Sequence, residues 1–254
     1  MGGFRLKINW WRVKLGIILI LSSILLYFLV YLIFRDAEHE LFYIGIDLAF
    51  LPLEVLIVVI VIEAAIAARE KSMLLEKLNM VIGAFFSEVG TRFLEKVSRH
   101  EMNTDKIRED LKISQDWNKD KFRKITEKIK AYDPRIPLDE DKSQFLDDLR
   151  MFLGGRRSFM LRLLENPNLL EHESFTDMLW AIFHFTEELE KRASFDDLPR
   201  TDYEHLEGDL ERAYKHVLSE WLKYMEHLMD NYPYLFSLAI RTNPFDPEAM
   251  IYII

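Results

Sequence analysis

The chain opens with two long apolar stretches and continues as a polar region in which apolar residues recur at helical spacing. Leu15–Phe34 carries no ionisable side chain except Tyr27 and Tyr31. As a helix rising about 1.5 Å per residue it measures about 30 Å, the thickness of a bilayer's hydrocarbon. A secretory signal would have a shorter apolar region closing on small residues, whereas this one closes Leu-Ile-Phe-Arg-Asp, so it reads as an uncleaved transmembrane helix. A second apolar run, 41–68, is interrupted by Asp47, Pro52, Glu54 and Glu63. Its segment Val55–Ile62 is rich in β-branched residues, yet a lone strand would leave its backbone unsatisfied in lipid, so a helix is predicted. The short linker Arg35–Glu40 makes the two spans an antiparallel hairpin.

Beyond Ala68 the pattern is helical throughout. Leu75, Leu78, Ile82, Phe85, Val89, Phe93 and Val97 step by three and four, which predicts that the second span continues as one long rod. A further helix is predicted over Thr104–Lys130, closed by Ala131-Tyr-Asp-Pro-Arg-Ile-Pro137, where two prolines disfavour helix at the residues before them. Helices follow over Asp139–Phe152 and Arg156–Leu164, with Gly154-Gly155 as the corner between them and Asn166-Pro-Asn168 as a break. Capping boxes at Ser174-x-x-Asp177 and Thr201-x-x-Glu204 open two more, the second a long helix bracketed by Pro199 and Pro233. The apolar tail ending Ile-Tyr-Ile-Ile is expected to dock in a groove. The fold class is all-α. The chain divides into an N-terminus 1–14, a transmembrane hairpin (15–34 and 41–68), an extended juxtamembrane helical region 69–131 and a helical domain 138–254.

Charge sets the orientation. Arg5, Lys7, Arg12 and Lys14 precede the first span and Arg69, Lys71 and Lys77 follow the second, while the linker holds only Arg35. Cations concentrate on the cytoplasmic side of a membrane, so both termini are expected in the cytoplasm of a multi-pass inner-membrane protein. Trp10 and Trp11 suit the inner interface; Tyr31, Phe42 and Tyr43 suit the outer one. The formal charge of −9 argues against nucleic acid as a partner, since that needs a basic face. The absence of cysteine excludes disulfides, thiol nucleophiles and Cys-ligated metal centres.

Three segments resemble a known family: Leu48–Ile57, Glu76–Gly90 and Tyr232–Phe245. Together they resemble an uncharacterised family of prokaryotic membrane proteins with two N-terminal spans and a helical cytoplasmic region. The resemblance implies the same topology and a prokaryotic origin, and carries over no site residues.

The intramembrane acids come first among candidate functional residues, because charge in hydrocarbon is expensive and usually serves a purpose. Asp47 and Glu54 are two helical turns apart and share a face; Glu63 lies about half a turn round, near the cytoplasmic end. Pro52 removes a backbone bond to Leu48 and marks a kink. In a homo-oligomer this face would line an axis with carboxylate rings, giving a cation path. Alternatively, Glu54 is hydrogen-bonded between helices and holds an assembly together.

Histidines come second. His205, His216 and His227 repeat every eleven residues, too far apart to share a metal and expected as a solvated stripe. His184 stands beside Glu187 and Glu188 and is expected to bond a carboxylate of its own helix. A di-iron bundle centre would use Glu-x-x-His pairs, and neither His184-x-x-Glu187 nor Asp202-x-x-His205 fits. No Gly-x-Ser-x-Gly elbow occurs, and Gly154-Gly-Arg-Arg157 lacks the lysine and preceding strand of a phosphate loop.

The expected function is a homo-oligomeric cation channel or pore with a cytoplasmic regulatory domain. The alternative is a membrane-anchored helical scaffold or signalling adaptor with no transport activity. A metal-dependent enzyme built on His184 and His205 trails both. No enzyme activity, cofactor or resident metal is expected; the partners expected are the lipid bilayer, further copies of the chain and a cytoplasmic protein.

Overall fold

The computed structural model describes residues 10–35, 37–166, 169 and 172–252, which form two units, Met1–Glu70 and Lys71–Ile254. Arg5, Lys7, Pro167-Asn168 of the expected break and the final Ile253-Ile254 lie outside the described residues. Among the described residues there is no strand, and the fold is all-helical.

The first unit holds α1 (Trp10–Phe34) and the opening turns of α2 (Ala37–Phe85). The Arg35 N–H bonds to the Tyr31 carbonyl at 2.8 Å and closes α1, and Arg35 itself turns into the left-handed region at φ 50°. Helix α2 resumes at Ala37, so the connection is shorter than the expected Arg35–Glu40 linker. The most apolar stretch of Leu41–Glu70 has a mean hydropathy of 2.5, and none of it is buried. By length and composition it is the one helix among the described residues able to cross a membrane; Ile17–Leu32 is a shorter apolar helix. The α2 helix runs through Pro52 without interruption.

In the second unit the helical rod widens before it ends. Phe86–Gly90 is a π-turn, followed directly by α3 (Thr91–Ser98). A π-turn accommodates one residue more than an α-turn and resets the register of the buried face. Here it lets the adjacent Phe85 and Phe86 both bury, where simple periodicity selects Phe85 alone. The expected Thr104–Lys130 helix is two helices, α4 (Thr104–Leu111) and α5 (Lys119–Ala131). Asn118 starts the second, its side chain accepting the Lys121 N–H at 3.0 Å, a cap that outweighs the continuing apolar pattern.

Pro134–Pro137 does not separate two domains. Ile136 and Leu138 are fully buried, and their N–H groups bond to Glu211 at 3.0 Å and Glu207 at 2.8 Å. The segment is thus latched to α8 (Arg200–Asn231) as an extended connection inside one unit. Next, α6 (Ser143–Leu164) runs straight through Gly154-Gly155, so the expected corner is absent; two glycines cost about 2 kcal/mol in helix propensity, which packing overrides. Helix α7 (Glu173–Lys191) is capped by His172, two residues ahead of the expected Ser174, with Nδ1 accepting the Phe175 N–H at 3.3 Å. The closing helix is α9 (Pro233–Arg241), with proline at its first position, where a missing N–H costs nothing.

The 32-residue α8 is the spine of this unit, packing against α3, α5, α7 and α9, while α6 covers the other side of α7. Beyond α9 the chain returns to the core. Phe245 meets Trp221 edge-on at 5.2 Å, and the buried Asn243 donates to the Leu111 carbonyl at 2.8 Å. Further on, Ile251 and Tyr252 are exposed.

Candidate functional site

Helices α7 and α8 form an antiparallel pair whose apolar faces make the core and whose outer seam is polar. The seam repeats every four residues on α7 and every three or four on α8, the spacing that keeps side chains on one face. Arg192 at the end of α7 meets Asp202 near the start of α8, Glu188 meets His205, and His184 meets Asp209. Arg192 is the anchor. Its Nε and Nη2 reach the two oxygens of Asp202 at 2.8 and 2.6 Å, a bidentate fork. Its Nη1 bonds the Glu188 carbonyl at 2.6 Å and Oε2 at 2.8 Å. Hydrogen bonding from Arg192 holds the carboxyls of Glu188 and Asp202 below their ordinary range, against a smaller opposing effect of burial.

One turn further along, three groups converge. His184 Nε2 lies 3.2 Å and His205 Nε2 3.4 Å from the same atom, Asp209 Oδ2. The three ligand atoms all lie within 4.8 Å of one another. The Asp209 side chain is 2% exposed, while His184 and His205 are about half exposed at 47% and 51%. Arg212 Nη2 holds the other oxygen, Oδ1, at 2.9 Å. A cavity of about 380 Å³ opens beside the cluster, lined by Asp177, Trp180, Ala181, His184, Arg212 and His216.

His184 therefore bonds across to α8, and not to Glu187 or Glu188 of its own helix: Glu187 is taken by Arg157 at 3.2 Å and Glu188 by Arg192. Nor do the three spaced histidines form a solvated stripe. His205 joins the cluster, His216 lines the cavity, and His227 is half-buried with Nδ1 3.1 Å from the amides of both Asn79 and Asn231. Burial pushes the His227 imidazole below its ordinary value, Asp230 partly opposing. A second cavity, of about 740 Å³, adjoins it between the end of α2 and α9, with Gly83, Ser87, Tyr224 and Leu235 in its walls.

Asp47, Glu54 and Glu63 belong to the first unit. Asp47 accepts a hydrogen bond from the Tyr27 hydroxyl of α1, Oδ2 to oxygen 2.9 Å. Glu54 and Glu63 are exposed on α2. The Tyr27 pairing was legible in principle, as a tyrosine within an otherwise apolar span opposite an aspartate in a hairpin.

Two family models match the chain. Residues 7–66 match the N-terminal helical domain of MJ1433, and residues 74–241 match the C-terminal helical domain of uncharacterized protein MJ1433. The chain belongs to the MJ1433 family. A relative from Methanocaldococcus jannaschii, "Uncharacterized protein MJ1433", is 44% identical over 237 residues, covering 93% of this chain and 94% of the relative. The boundary between the two family domains falls where the two structural units part, within α2. The C-terminal family domain contains the whole polar seam from His184 to Asp209. No solved structure matches the chain.

Proposed function

We propose that this protein is a two-span, membrane-anchored helical adaptor whose C-terminal helical domain faces the cytoplasm and presents its surface to a partner protein. The observation that carries the reading is Leu41–Glu70, a thirty-residue helical segment whose most apolar stretch has a mean hydropathy of 2.5 and is nowhere buried. An exposed apolar surface of that extent is untenable in water and natural in lipid. Tyr27 and Asp47 favour an anchor over a conduit. Their hydrogen bond ties α1 to α2 within one chain and engages Asp47 with the chain's own first helix. A hydroxyl–carboxylate pair satisfies polar groups that lipid cannot.

The homo-oligomeric cation pore, expected first from the sequence, becomes the second reading; it is supported by Glu54, near the middle of the 41–68 apolar run, being exposed. A carboxylate at that depth needs a partner, which a second copy would supply. Native mass spectrometry of the nanodisc-embedded chain separates the two. A monomer or dimer is expected for the anchor, since four helices enclose no water-filled axis. A single closed oligomer of three or more copies, with cation flux abolished by Glu54→Gln, would replace the anchor with the pore. Recovery of the protein in the soluble fraction after lysis and carbonate extraction would sink both.

A further inference from the structure

The polar seam between α7 and α8 contains two matched pairs that neither the anchor nor the pore uses. On α7, His184 and Glu188 are four residues apart; on α8, His205 and Asp209 are four apart. Because the helices are antiparallel, each histidine faces the carboxylate of the other pair. Bundle metal centres are built this way, from imidazoles and carboxylates projecting from facing helices.

We propose that His184, His205 and Asp209, with Glu188 beside them, bind a transition-metal dication of the zinc type. Three observations carry this. First, both imidazole Nε2 atoms aim at one carboxylate oxygen from opposite helices, at 3.2 and 3.4 Å. Ligand atoms about 2.0–2.1 Å from a tetrahedral zinc stand about 3.3 Å from each other, so two edges of a coordination tetrahedron are already formed. Second, Asp209 Oδ2 is buried and has no hydrogen bond. A buried carboxylate oxygen faced by two imidazole nitrogens at 3.2 and 3.4 Å, with no hydrogen bond formed to it, calls for a cation between them. Third, the opposite oxygen is held by Arg212, and Glu188 by Arg192, the outer contacts that fix the orientation of a ligating carboxylate.

The donor set decides the class of ion. Two imidazoles with one or two carboxylates suit zinc, cobalt, iron or manganese; calcium and magnesium prefer all-oxygen shells. Glu188 Oε2 lies 3.7 Å from His205 Nε2 and is held by Arg192 at 2.8 Å, an outer contact beside the three ligands, and the half-exposed histidines leave the ion open to water as a fourth ligand. An ion there would pin α7 to α8 next to Trp180 and the 380 Å³ cavity. The inference is independent of how the first unit meets the membrane.

The test is a titration of the chelator-stripped full-length chain, purified without a histidine tag, with Zn²⁺ by calorimetry and with Co²⁺ by visible absorption. One equivalent of each metal is expected, with the intense bands of low-coordinate cobalt and a rise in melting temperature. Removing an outer-shell partner costs about 10–100-fold in metal affinity, so His184→Ala and His205→Ala should each cost at least that. Both side chains are half exposed, so the variants should fold, which far-ultraviolet circular dichroism checks. His216→Ala, on the same seam outside the cluster, should bind as the parent does. Absence of saturable binding of either metal, or unchanged binding by the folded His184→Ala/His205→Ala double variant, overturns the proposal. So does a loss in His216→Ala as large as in His184→Ala.

Discussion

Gly90 closes the π-turn at the base of the rod, and replacing it with alanine should destabilise the second unit. Its backbone is ordinary right-handed helix, φ −62°, so strain is not the issue. Space is. A Cβ built there would stand 2.7 Å from Phe86 Cε1 and 2.8 Å from Phe85 Cε1. Both rings are buried and committed elsewhere: Phe86 stacks on Tyr224 of α8 at 5.0 Å, and Phe85 meets Phe175 of α7 edge-on at 5.6 Å. Neither ring can move without disturbing a neighbouring helix. Overpacking a dense core costs about 1–3 kcal/mol, and a disrupted aromatic pair adds about 0.5–1.5. Replacing glycine in a helix returns about 0.8–1 kcal/mol, leaving a net loss of about 1–3 kcal/mol. For a unit of this size that lowers the melting temperature by about 3–10 °C. The assay is thermal unfolding of the full chain in detergent, followed by near-ultraviolet circular dichroism. Gly155→Ala is the internal standard: nothing lies within 4 Å of its Cβ, so it should gain about 0.5–1 kcal/mol. A Gly90→Ala protein melting at or above the parent, alongside a stabilised Gly155→Ala, would refute the argument from the ring contacts.

Arg192→Met should cost about 2–4 kcal/mol, somewhat less than a fully buried pair because Asp202 and Glu188 retain partial exposure. Urea unfolding measures it, and a double-mutant cycle with Asp202→Asn should return a coupling above about 1 kcal/mol; a coupling of zero would mean that the bidentate fork contributes nothing. Stability should fall as the pH drops below about 6.5, the ordinary value for histidine, because burial depresses His100 and His227 in the fold while the unfolded chain still takes up their protons. Lys142 and Arg99 reinforce this at His100. His227→Gln should flatten that limb of the pH–stability curve, and an unchanged limb would assign it elsewhere. A second loss should set in as the pH falls through the ordinary carboxylate range, where the unfolded chain takes up protons that Glu188 and Asp202, held low by Arg192, still refuse in the fold; Arg192→Met should remove it.

Much of the helical order follows from one-dimensional pattern alone. Apolar steps of three and four place the C-terminal part of α2 because a helix must turn one face to its core, and capping boxes signal α7 and α8; neither rule needs knowledge of the neighbours. Prolines at 199 and 233 bound α8 for an equally local reason, the missing N–H and the fixed φ. The family domains, too, part where the apolar run gives way to the amphipathic one. Local pattern failed where packing outweighed it. Gly154-Gly155 stays helical because α6 lies along α7, and Pro134–Pro137 is held to α8 by Glu207 and Glu211, which stand seventy residues away in the chain.

The candidate site lies almost wholly on the tertiary side. His184 and His205 were recognisable as chemically capable residues, but the i,i+3 template suited to di-iron bundles is not the one they follow. His205 meets Asp209 at i+4, while His184 finds its carboxylate on the other helix. Only the antiparallel docking of α7 on α8, fixed by the Arg192 fork, brings two distant pairs to one oxygen of Asp209. Asp209 itself gave no signal in the sequence, because an aspartate on an amphipathic helix reads as surface until a neighbouring helix covers it. Composition and spacing determine which faces a chain must bury; which polar groups meet on the remaining seam depends on register between helices, and register is a property of the packed core.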